Sequence, residues 1–401
     1  MKKILKIVKD FGWNMAATFM CTAILQLVVY PLLAQWLDSE IYGELLTVMG
    51  IANIAVVTLG GGINNVRLIQ NEKYQDHIEG DFNFLLGIVN IVGTILFGTI
   101  VLIFFPLTLG NFIIITAFVF LGILRGYWSV AYRLKINYVA NFKMNLFISI
   151  GYIIGLFLVK VTHIWAFSFL IAEILGVIYL YITTDLYKES YKRTDLYKET
   201  FKVLIIIIIN TLIGNIISYL DRLVLYPILG AKQVSIFTVS SFVGKSVGLL
   251  IIPISGVLLS YYAQKSFKMT LKRYWLINFI VIGGAVLSSG AVILFSPWAT
   301  SVLYPTLLDQ ALRYLVIANM ASLVGALSNI VSPAVLKYAD VRWQLVIQVT
   351  YILIYFGLSI LFLRSGGLYG FCIANLLVNT LRFMLYLLIG HVSIRRLEER
   401  E

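Results

Sequence analysis

The chain alternates between long apolar runs and short polar breaks along its whole length. A helix that crosses a bilayer needs about 20 apolar residues, and run after run in this chain has that length. The pattern therefore predicts an all-α polytopic membrane protein with about twelve transmembrane helices. The predicted spans are 11–36, 41–63, 82–105, 111–131, 144–162, 164–183, 203–226, 234–259, 274–296, 308–333, 343–363 and 368–390.

Basic residues are distributed unequally among the breaks. The odd-numbered breaks, counted from the N-terminus, contain 23 of the Lys and Arg residues, whereas the intervening breaks contain 5. Because basic loops remain on the cytoplasmic side of a membrane, both termini are expected in the cytoplasm. The remaining basic residues, Arg125, Lys245 and Arg382, fall inside predicted spans.

The two halves of the chain show a weak internal repeat. Residues 37–43 (LDSEIYG) correspond to residues 229–235 (LGAKQVS) at an offset of 192 residues, which is close to half the chain. A two-half pattern is common among transporters. We therefore predict two pseudo-symmetric six-helix lobes, 1–183 and 203–401, joined by a cytoplasmic linker at 184–202.

The linker contains a small tandem, in which DLYKES at 185–190 is followed by DLYKET at 195–200. Its Leu and Tyr residues alternate with charges, which would suit a helix that lies on the inner leaflet and connects the lobes. A solvated linker is the alternative. No break in the chain is long enough to hold a soluble catalytic domain.

The composition supports the membrane assignment. Hydrophobic residues make up 60% of the chain, charged residues make up 12%, and the mean hydropathy is +0.92, which excludes an ordinary soluble domain. The net charge of +12 could indicate nucleic acid, but the sequence has no basic soluble domain to bind it. Cys21 and Cys372 lie in apolar runs and are expected to pack rather than to form a disulfide.

Few residues suit catalysis or metal binding. The histidines, His77, His163 and His391, are far apart and lie in or beside breaks, which argues against a metal site or a His-dependent transferase. The chain contains no Gly-x-Ser-x-Gly, no Walker A and no metal-spaced Cys/His motif. These features predict a conduit rather than an enzyme, with no cofactor.

Lys245 is the first candidate for chemistry, because it lies well inside an apolar run. A charge at the centre of a bilayer costs about 2.5–3.5 kcal/mol on insertion scales, so such a residue usually faces a cavity or a structural partner. Arg382 in the last span is a second candidate. Arg125, near the inner end of its span, could instead snorkel to the interface. Arg67 follows Gly60-Gly61-Gly62, which would loosen the helix end, and could reach a head group or act as an anchor.

Glu173 is the acid nearest the middle of a predicted span. A buried carboxylate either pairs with a base or stays protonated, so Glu173 is a candidate for ion or proton coupling or, alternatively, part of a structural pair. Asp221 and Arg222 are neighbours at the predicted membrane edge. They would form either a gate at the outer face or an interfacial ion pair.

Three segments carry a resemblance to a known family. DSEIYG at 38–43 opens the second span, residues 60–67 close it, and LDRLVL at 220–225 runs into Leu-Gly-Ala at 229–231 after the seventh span. With about twelve spans in two halves, these segments resemble the bacterial polysaccharide flippases, the Wzx-type O-antigen and capsule repeat-unit exporters. That family is part of the MOP (multidrug/oligosaccharidyl-lipid/polysaccharide) exporter superfamily, which also contains the lipid II flippase and the multidrug extruders.

The resemblance implies that the protein moves an undecaprenyl-pyrophosphate-linked oligosaccharide from the cytoplasmic to the outer leaflet of the bacterial inner membrane by alternating access. The lobes would rock around a central cavity, in which Lys245 would hold the pyrophosphate with help from Arg382, Arg125 and Arg67. Related transporters use ion or proton gradients, and Glu173 is the candidate coupling site. The implied partners are membrane lipids and other polysaccharide-assembly proteins.

Two rival functions remain open. A drug or cation antiporter of the same superfamily would share the fold but depend on acids in its cavity, whereas the cavity candidates here are mainly basic. An integral-membrane polysaccharide polymerase or ligase would usually carry a large external loop with arginines and histidines, whereas the external breaks here are short.

Overall fold

The predicted all-helical architecture is confirmed. The structure is a computed structural model that describes residues 12, 16, 19–74, 80–262 and 267–399. Within these residues the secondary structure consists of helices, and no strand is present. The start of the first predicted span, 11–36, lies outside the described residues.

The described residues contain as many apolar helices as the hydropathy pattern predicts. Ten helices are long and apolar enough to cross a membrane, and Phe167–Thr183 is a shorter apolar helix. The longest helical stretch, Val341–Glu398, is two helices that meet at Gly367, where the backbone is not helical (φ 54°, ψ −139°). Counted in this way, the described part has twelve apolar helices, and the chain is a multi-pass membrane protein.

The helices are numbered in chain order. Those of the first half are α1 (Phe19–Trp36), α2 (Ser39–Gln70), α3 (Asp81–Phe104), α4 (Leu109–Trp128), α5 (Tyr138–Thr162) and α6 (Phe167–Thr183). Those of the second half are α7 (Tyr197–Leu229), α8 (Phe242–Tyr262), α9 (Leu271–Leu303), α10 (Leu315–Tyr338), and α11 and α12, which precede and follow Gly367 in Val341–Glu398. Shorter helical pieces are Val130–Leu134, Ala231–Ser240 and Leu308–Ala311.

Polar residues at the helix starts satisfy backbone N–H groups that the helix itself leaves unpaired. Oδ1 of Asp38 accepts hydrogen bonds from the N–H groups of residues 40 and 41, both at 2.9 Å. The side chains of Thr108, Asn137, Thr270 and Asp340 accept in the same way at the starts of α4, α5, α9 and α11. These caps place the helix starts at polar breaks in the sequence.

The chain divides into two compact units. Unit 1 comprises Met1–Trp36 and Glu44–Arg222, and unit 2 comprises Leu37–Gly43 and Leu223–Glu401. The division into lobes at 1–183 and 203–401 stays a prediction.

An aromatic cluster forms the centre of unit 1. Phe169 in α6 is fully buried, and the rings of Tyr30, Phe118, Tyr152 and Trp165 lie 6.0–6.4 Å from it, centroid to centroid. These residues come from α1, α4, α5 and the turn before α6. The cluster therefore packs three other helices of the unit, and the turn before α6, against α6.

Unit 2 combines close helix packing with a polar–aromatic contact. The hydroxyl of Tyr274 in α9 donates to the carbonyl of Leu387 in α12 at 3.0 Å, and Tyr274 is almost completely buried. α8 and α10 approach at backbone distance, because a Cβ at Gly244 would lie 2.6 Å from the carbonyl oxygen of Asn319. Small residues allow this kind of contact between membrane helices.

The second span does not end at its glycines. The sequence predicts that the second span ends near residue 63 and that Gly60-Gly61-Gly62 loosen the helix end, but α2 continues to Gln70. Gly60 instead provides room for α4, since a Cβ at this position would lie 2.7 Å from the carbonyl oxygen of Ile123. Nδ2 of Asn64 then donates to the carbonyl of Gly126 at 2.8 Å. The packing against α4 thus keeps this stretch of α2 helical.

Candidate functional site

Lys245 lies in the first turn of α8, beside the contact with α10. The backbone N–H of Gly244 donates to Oδ1 of Asn319 at 2.7 Å. This bond fixes the start of α8 and hence the backbone that carries Lys245. The ammonium group lies over the ring of Phe237, 5.2 Å from the ring centroid.

Arg382 in α12 lies against two tyrosine rings. Its guanidinium carbon is 4.8 Å from the ring centroid of Tyr351 and 5.8 Å from that of Tyr386. The Tyr351 hydroxyl donates to Oδ1 of Asn379 at 3.3 Å, which holds the ring in place. Nε of Arg382 is buried and has no hydrogen-bond partner among the described residues. Arg382 is therefore held by rings and keeps a donor that no described group uses.

A continuous row of four rings connects these two cations within unit 2, and we call it the aromatic run. Its members in order are Tyr351, Tyr355, Phe371 and Phe237, with successive centroids 5.7, 6.2 and 5.0 Å apart. A cation over a ring gains about 0.5–2 kcal/mol, depending on how far it is desolvated. The rings thus offset part of the cost of placing the two charges at these positions.

The structure brings together two other predicted site residues, Arg125 and Glu173, in unit 1. The Nε and Nη2 groups of Arg125 in α4 donate to the two carboxylate oxygens of Glu173 in α6, the second at 2.9 Å. The side chain of Glu173 is only 4% exposed. Of the two arrangements open to a buried carboxylate, the structure shows the paired one. A coupling role for Glu173 stays a prediction.

Asp221 and Arg222, in the second half of α7, hydrogen-bond to each other, and Arg222 also contacts α2. Oδ1 of Asp221 accepts the backbone N–H of Arg222 at 2.9 Å. Nη1 of Arg222 donates to the carbonyl oxygen of Leu46 in α2 at 2.8 Å, and the guanidinium lies 5.5 Å from the ring centroid of Tyr219. Arg222 therefore ties α7 to α2. Its part in a gate or an interfacial pair stays a prediction.

Arg67, near the end of α2, is buried against a residue of the linker. Its Nη2 donates to Oε1 of Glu189 at 2.7 Å, and the two side chains are 9% and 12% exposed. The guanidinium carbon lies 4.5 Å from the ring centroid of Phe82. Burial raises the pKa of the Glu189 carboxyl above its ordinary value, and the neighbouring Arg67 opposes that effect.

The linker is bound to the same end of unit 1, and we call its residues 185–200 the clasp. Asp81, the first residue of α3, is completely buried. Its carboxylate accepts from the Tyr74 hydroxyl at 2.7 Å, from the backbone N–H of Thr194 at 2.8 Å and from the Thr194 hydroxyl. A carboxylate with three donors is well satisfied in a buried position. Asp81 therefore anchors the clasp to the start of α3.

The clasp is not the continuous helix that one of the two expectations for the linker describes. The clasp has a single 3-10 turn, Leu186–Lys188, and the next α-helix begins at Tyr197. The side-chain amide of Asn83 donates to the carbonyls of Leu186 and Glu189, both at 2.9 Å. These bonds satisfy backbone groups that a surface helix would pair internally, so the segment is not a continuous helix on the leaflet. The alternative, a solvated linker, stays a prediction.

Sequence reasoning missed the partners of the cations. Tyr386 lies four residues after Arg382, a spacing that puts both on one helix face, so the sequence did contain a signal for that contact. The pairing of Arg67 with Glu189 spans 122 residues and has no local signature. No group of three or more His, Cys, Asp or Glu suited to a metal ion occurs in the described part of the chain.

No protein-family model and no curated protein sequence matches the chain, whereas several solved structures do. An inward-facing multidrug resistance MATE family transporter of the MOP superfamily is 12% identical with a TM-score of 0.69, and 96% of each chain is covered. The lipid II flippase MurJ, in an inward closed conformation, is 15% identical with a TM-score of 0.72, covering 96% of this chain and 87% of MurJ. A MATE transporter of Vibrio cholerae is 13% identical with a TM-score of 0.61, and 99% of each chain is covered.

At these identities the similarity concerns the fold. It extends over almost the entire chain, and the matched proteins are transporters and a flippase, not enzymes. The chain has the fold of the MOP-superfamily transporters.

Proposed function

We propose that this protein is a flippase of the bacterial inner membrane, with both termini in the cytoplasm. It moves an undecaprenyl-pyrophosphate-linked oligosaccharide repeat unit, destined for O-antigen or capsule, from the cytoplasmic to the outer leaflet by alternating access. The similarity to a lipid II flippase supports this class of cargo. Membrane lipids and other polysaccharide-assembly proteins are its proposed partners.

The aromatic run of unit 2 is the observation that carries the proposal. Lys245 lies over its last ring and Arg382 lies over its first ring. Two unit charges 4 Å apart attract by about 4 kcal/mol at an effective dielectric constant near 20. A diphosphate therefore gains strongly from cations that are held by rings, while the ligand offsets the cost of placing those cations in the membrane.

Arg125 and Arg67 have a secondary role in this proposal. Each already donates to a carboxylate, so a pyrophosphate reaches them only in exchange for that carboxylate. Protonation of Glu173 would remove its charge and release the guanidinium of Arg125. An ion or proton gradient that acts at Glu173 is thus proposed to drive transport.

A drug or cation antiporter is the second candidate, and the buried carboxylate of Glu173 is the observation that favours it. Such a protein binds its cation at an available acid. In this structure both oxygens of Glu173 accept from Arg125, which leaves the carboxylate already neutralised. The anionic cargo is therefore the better match. A polymerase or ligase of lipid-linked sugars has no comparable support.

Reconstitution into vesicles with two kinds of cargo tests the proposal. We expect protein-dependent crossing of a fluorescent undecaprenyl-pyrophosphate oligosaccharide, measured as label accessible from outside, and no uptake of ethidium. A polymerase would lengthen the oligosaccharide, whereas a flippase changes only the leaflet that holds it. Uptake of ethidium without lipid crossing would move the protein to the antiporter class.

A further inference from the structure

Part of the hydrogen-bonding capacity of the Arg67 guanidinium is unsatisfied among the described residues. Of its five N–H donors, one bonds Glu189 at 2.7 Å. Its Nε and Nη1, and Oε2 of Glu189, are buried without hydrogen-bond partners among the described residues. Unsatisfied buried donors are costly, and a planar guanidinium bonds best to an anion that accepts at two positions. A diphosphate, with acceptor oxygens around each phosphorus, is a better partner for Arg67 than the single oxygen of Glu189.

The backbone that carries Glu189 is fixed independently of this ion pair. The amide of Asn83 holds the carbonyl of Glu189 and that of Leu186, and Asp81 holds Thr194 further along the clasp. The Glu189 side chain can therefore rotate away from Arg67 while the clasp stays in place. An anion that replaces the carboxylate requires a change of rotamer and no unfolding.

The ionised form of the Glu189 carboxylate is less stable at this position than it is in water. Burial raises its pKa, and the attraction to Arg67 only partly opposes this effect. A carboxylate whose loss of hydration is only partly offset by its partner is more readily displaced than one in a fully hydrogen-bonded pair.

We propose that Glu189 is a tethered competitor at an anion subsite on Arg67. Its carboxylate binds the Arg67 guanidinium until a diphosphate group displaces the carboxylate. The inference rests on the proposed function, because the diphosphate that binds Arg67 is that of the proposed cargo. It adds Glu189 as a residue that regulates access to Arg67. Removal of the Glu189 charge then strengthens diphosphate binding, and only through Arg67.

The test measures binding of two diphosphate probes to the purified full chain in detergent by isothermal titration calorimetry. The probes are inorganic pyrophosphate and farnesyl diphosphate. Glu189→Gln removes the charge and keeps the shape, and Glu199→Gln is the matched control. Glu199 lies on the same clasp and pairs with Lys73, but both side chains are about half exposed (52% and 53%). A thermal unfolding curve for each variant establishes that it is folded.

We expect Glu189→Gln to bind the probes about tenfold more tightly than the wild type, which corresponds to about 1.4 kcal/mol. Glu199→Gln should bind as the wild type does, and the gain should vanish when Arg67→Gln is combined with Glu189→Gln. Tightening with both probes assigns the subsite to the shared diphosphate group, and tightening with farnesyl diphosphate alone assigns it to a lipid head group. Both results support the inference.

Equal affinities in the wild type and Glu189→Gln overturn the inference, as does a gain that persists without Arg67 or a failure of every variant to bind either probe. Leaflet crossing by the same variants separates this result from the proposed function. Tighter binding by Glu189→Gln without any crossing would support Glu189 as a competitor and contradict the flippase function. Crossing without any difference in binding would support the flippase function and contradict the role of Glu189 as a competitor.

Discussion

Lys245 and Arg382 lie at opposite ends of one row of four aromatic rings. The two residues belong to α8 and α12 of unit 2, and the rings that connect them come from the segment before α8, from α11 and from α12. Because each ring packs against the next, the positions of the two charges depend on the same core. The rings are therefore as important to the proposed site as the cations.

Replacement of Tyr351 tests how much the aromatic run contributes to binding of the proposed cargo. Tyr351→Leu removes the ring beneath Arg382 and the hydrogen bond to Asn379, whereas Tyr351→Phe removes only the hydrogen bond. A cation–π contact is worth about 0.5–2 kcal/mol, so we expect Tyr351→Leu to weaken binding of a polyprenyl diphosphate about tenfold. Tyr351→Phe should weaken it less. Equal losses in the two variants would show that the ring itself contributes nothing.

Gly43 is a position where a single methyl group should destabilise the protein. A Cβ at Gly43 would lie 1.8 Å from the carbonyl oxygen of Ala231, which no rotamer change can relieve. Overpacking costs typically about 1–3 kcal/mol, so Gly43→Ala should lower the unfolding temperature. Gly61→Ala is the control on the same helix, because a Cβ there has open space; it should be neutral or stabilising. Similar melting curves for the two variants would contradict the close contact.

Arg125 and Glu173 should behave as a coupled pair. Loss of one partner from a buried ion pair costs about 3–5 kcal/mol, so Arg125→Gln and Glu173→Gln should each lower the free energy of unfolding. The double variant should lose less than the two single losses together. The exposed pair Arg395 and Glu399 is the control, since surface pairs contribute about 0–1 kcal/mol. Strict additivity at Arg125 and Glu173 would mean that the two side chains do not interact.

Gly80 should control the docking of the clasp. Its φ is +90°, and a Cβ would lie 1.6 Å from the carbonyl oxygen of Lys192, so Gly80→Ala is both strained and obstructed. We expect faster tryptic cleavage within the clasp in this variant. Gly87→Ala, on the following turns of α3, has open space for its methyl group and should be cleaved at the wild-type rate. Unchanged protection in Gly80→Ala would argue against the docked clasp.

The charge of Glu189 should make stability depend on pH. Its pKa in the folded protein is raised above the ordinary value of 4.5 by burial, so the folded state binds its proton more tightly than the unfolded state does. The stabilising contribution is complete below about pH 4.5 and is lost as the pH rises through the folded pKa. The free energy of unfolding of the wild type, relative to Glu189→Gln, should therefore fall as the pH rises above about 4.5. A difference that rises with pH would mean that the attraction to Arg67 exceeds the cost of burial.

The helices were predictable because hydropathy and length are local properties. The predicted span 82–105 corresponds to Asp81–Phe104, and 164–183 corresponds to Phe167–Thr183. The predicted limits are too short at both ends of Tyr197–Leu229 (203–226) and of Leu271–Leu303 (274–296). Charged residues interrupt the apolar pattern at the starts of these helices, and Pro227 and Pro297 interrupt it near their ends, but the helices continue through both.

The weak repeat corresponds to a reciprocal contact. At the offset of 192 residues, Gly43 corresponds to Ser235 and Ser39 corresponds to Ala231. Gly43 packs against the Ala231 carbonyl, and the Ser235 hydroxyl donates to the carbonyl of Ser39. Each contact is thus the image of the other under the repeat. The sequence contained the correspondence, but not the fact that these residues touch.

The candidate site was predictable only in part. The cost of charge in a membrane identified Lys245, Arg382, Arg125 and Glu173 as residues that need a partner, but it did not identify the partner. Arg125 was placed near a membrane end and Glu173 near a span centre, yet the two form one pair. Such partners are determined by how helices from distant parts of the chain pack together. Periodicity and composition do not describe that packing.

The most direct test of the central claim is the rate at which a labelled undecaprenyl-pyrophosphate oligosaccharide crosses the membrane of reconstituted vesicles. The comparison is between the wild type, Lys245→Ala, Arg382→Gln and the control Arg395→Gln, whose side chain is 65% exposed. We predict crossing that requires the protein, falls at least about tenfold in the first two variants, as expected for the loss of a charge-assisted bond, and is unchanged in Arg395→Gln. Crossing at the wild-type rate in both Lys245→Ala and Arg382→Gln would contradict the claim that these cations hold the cargo.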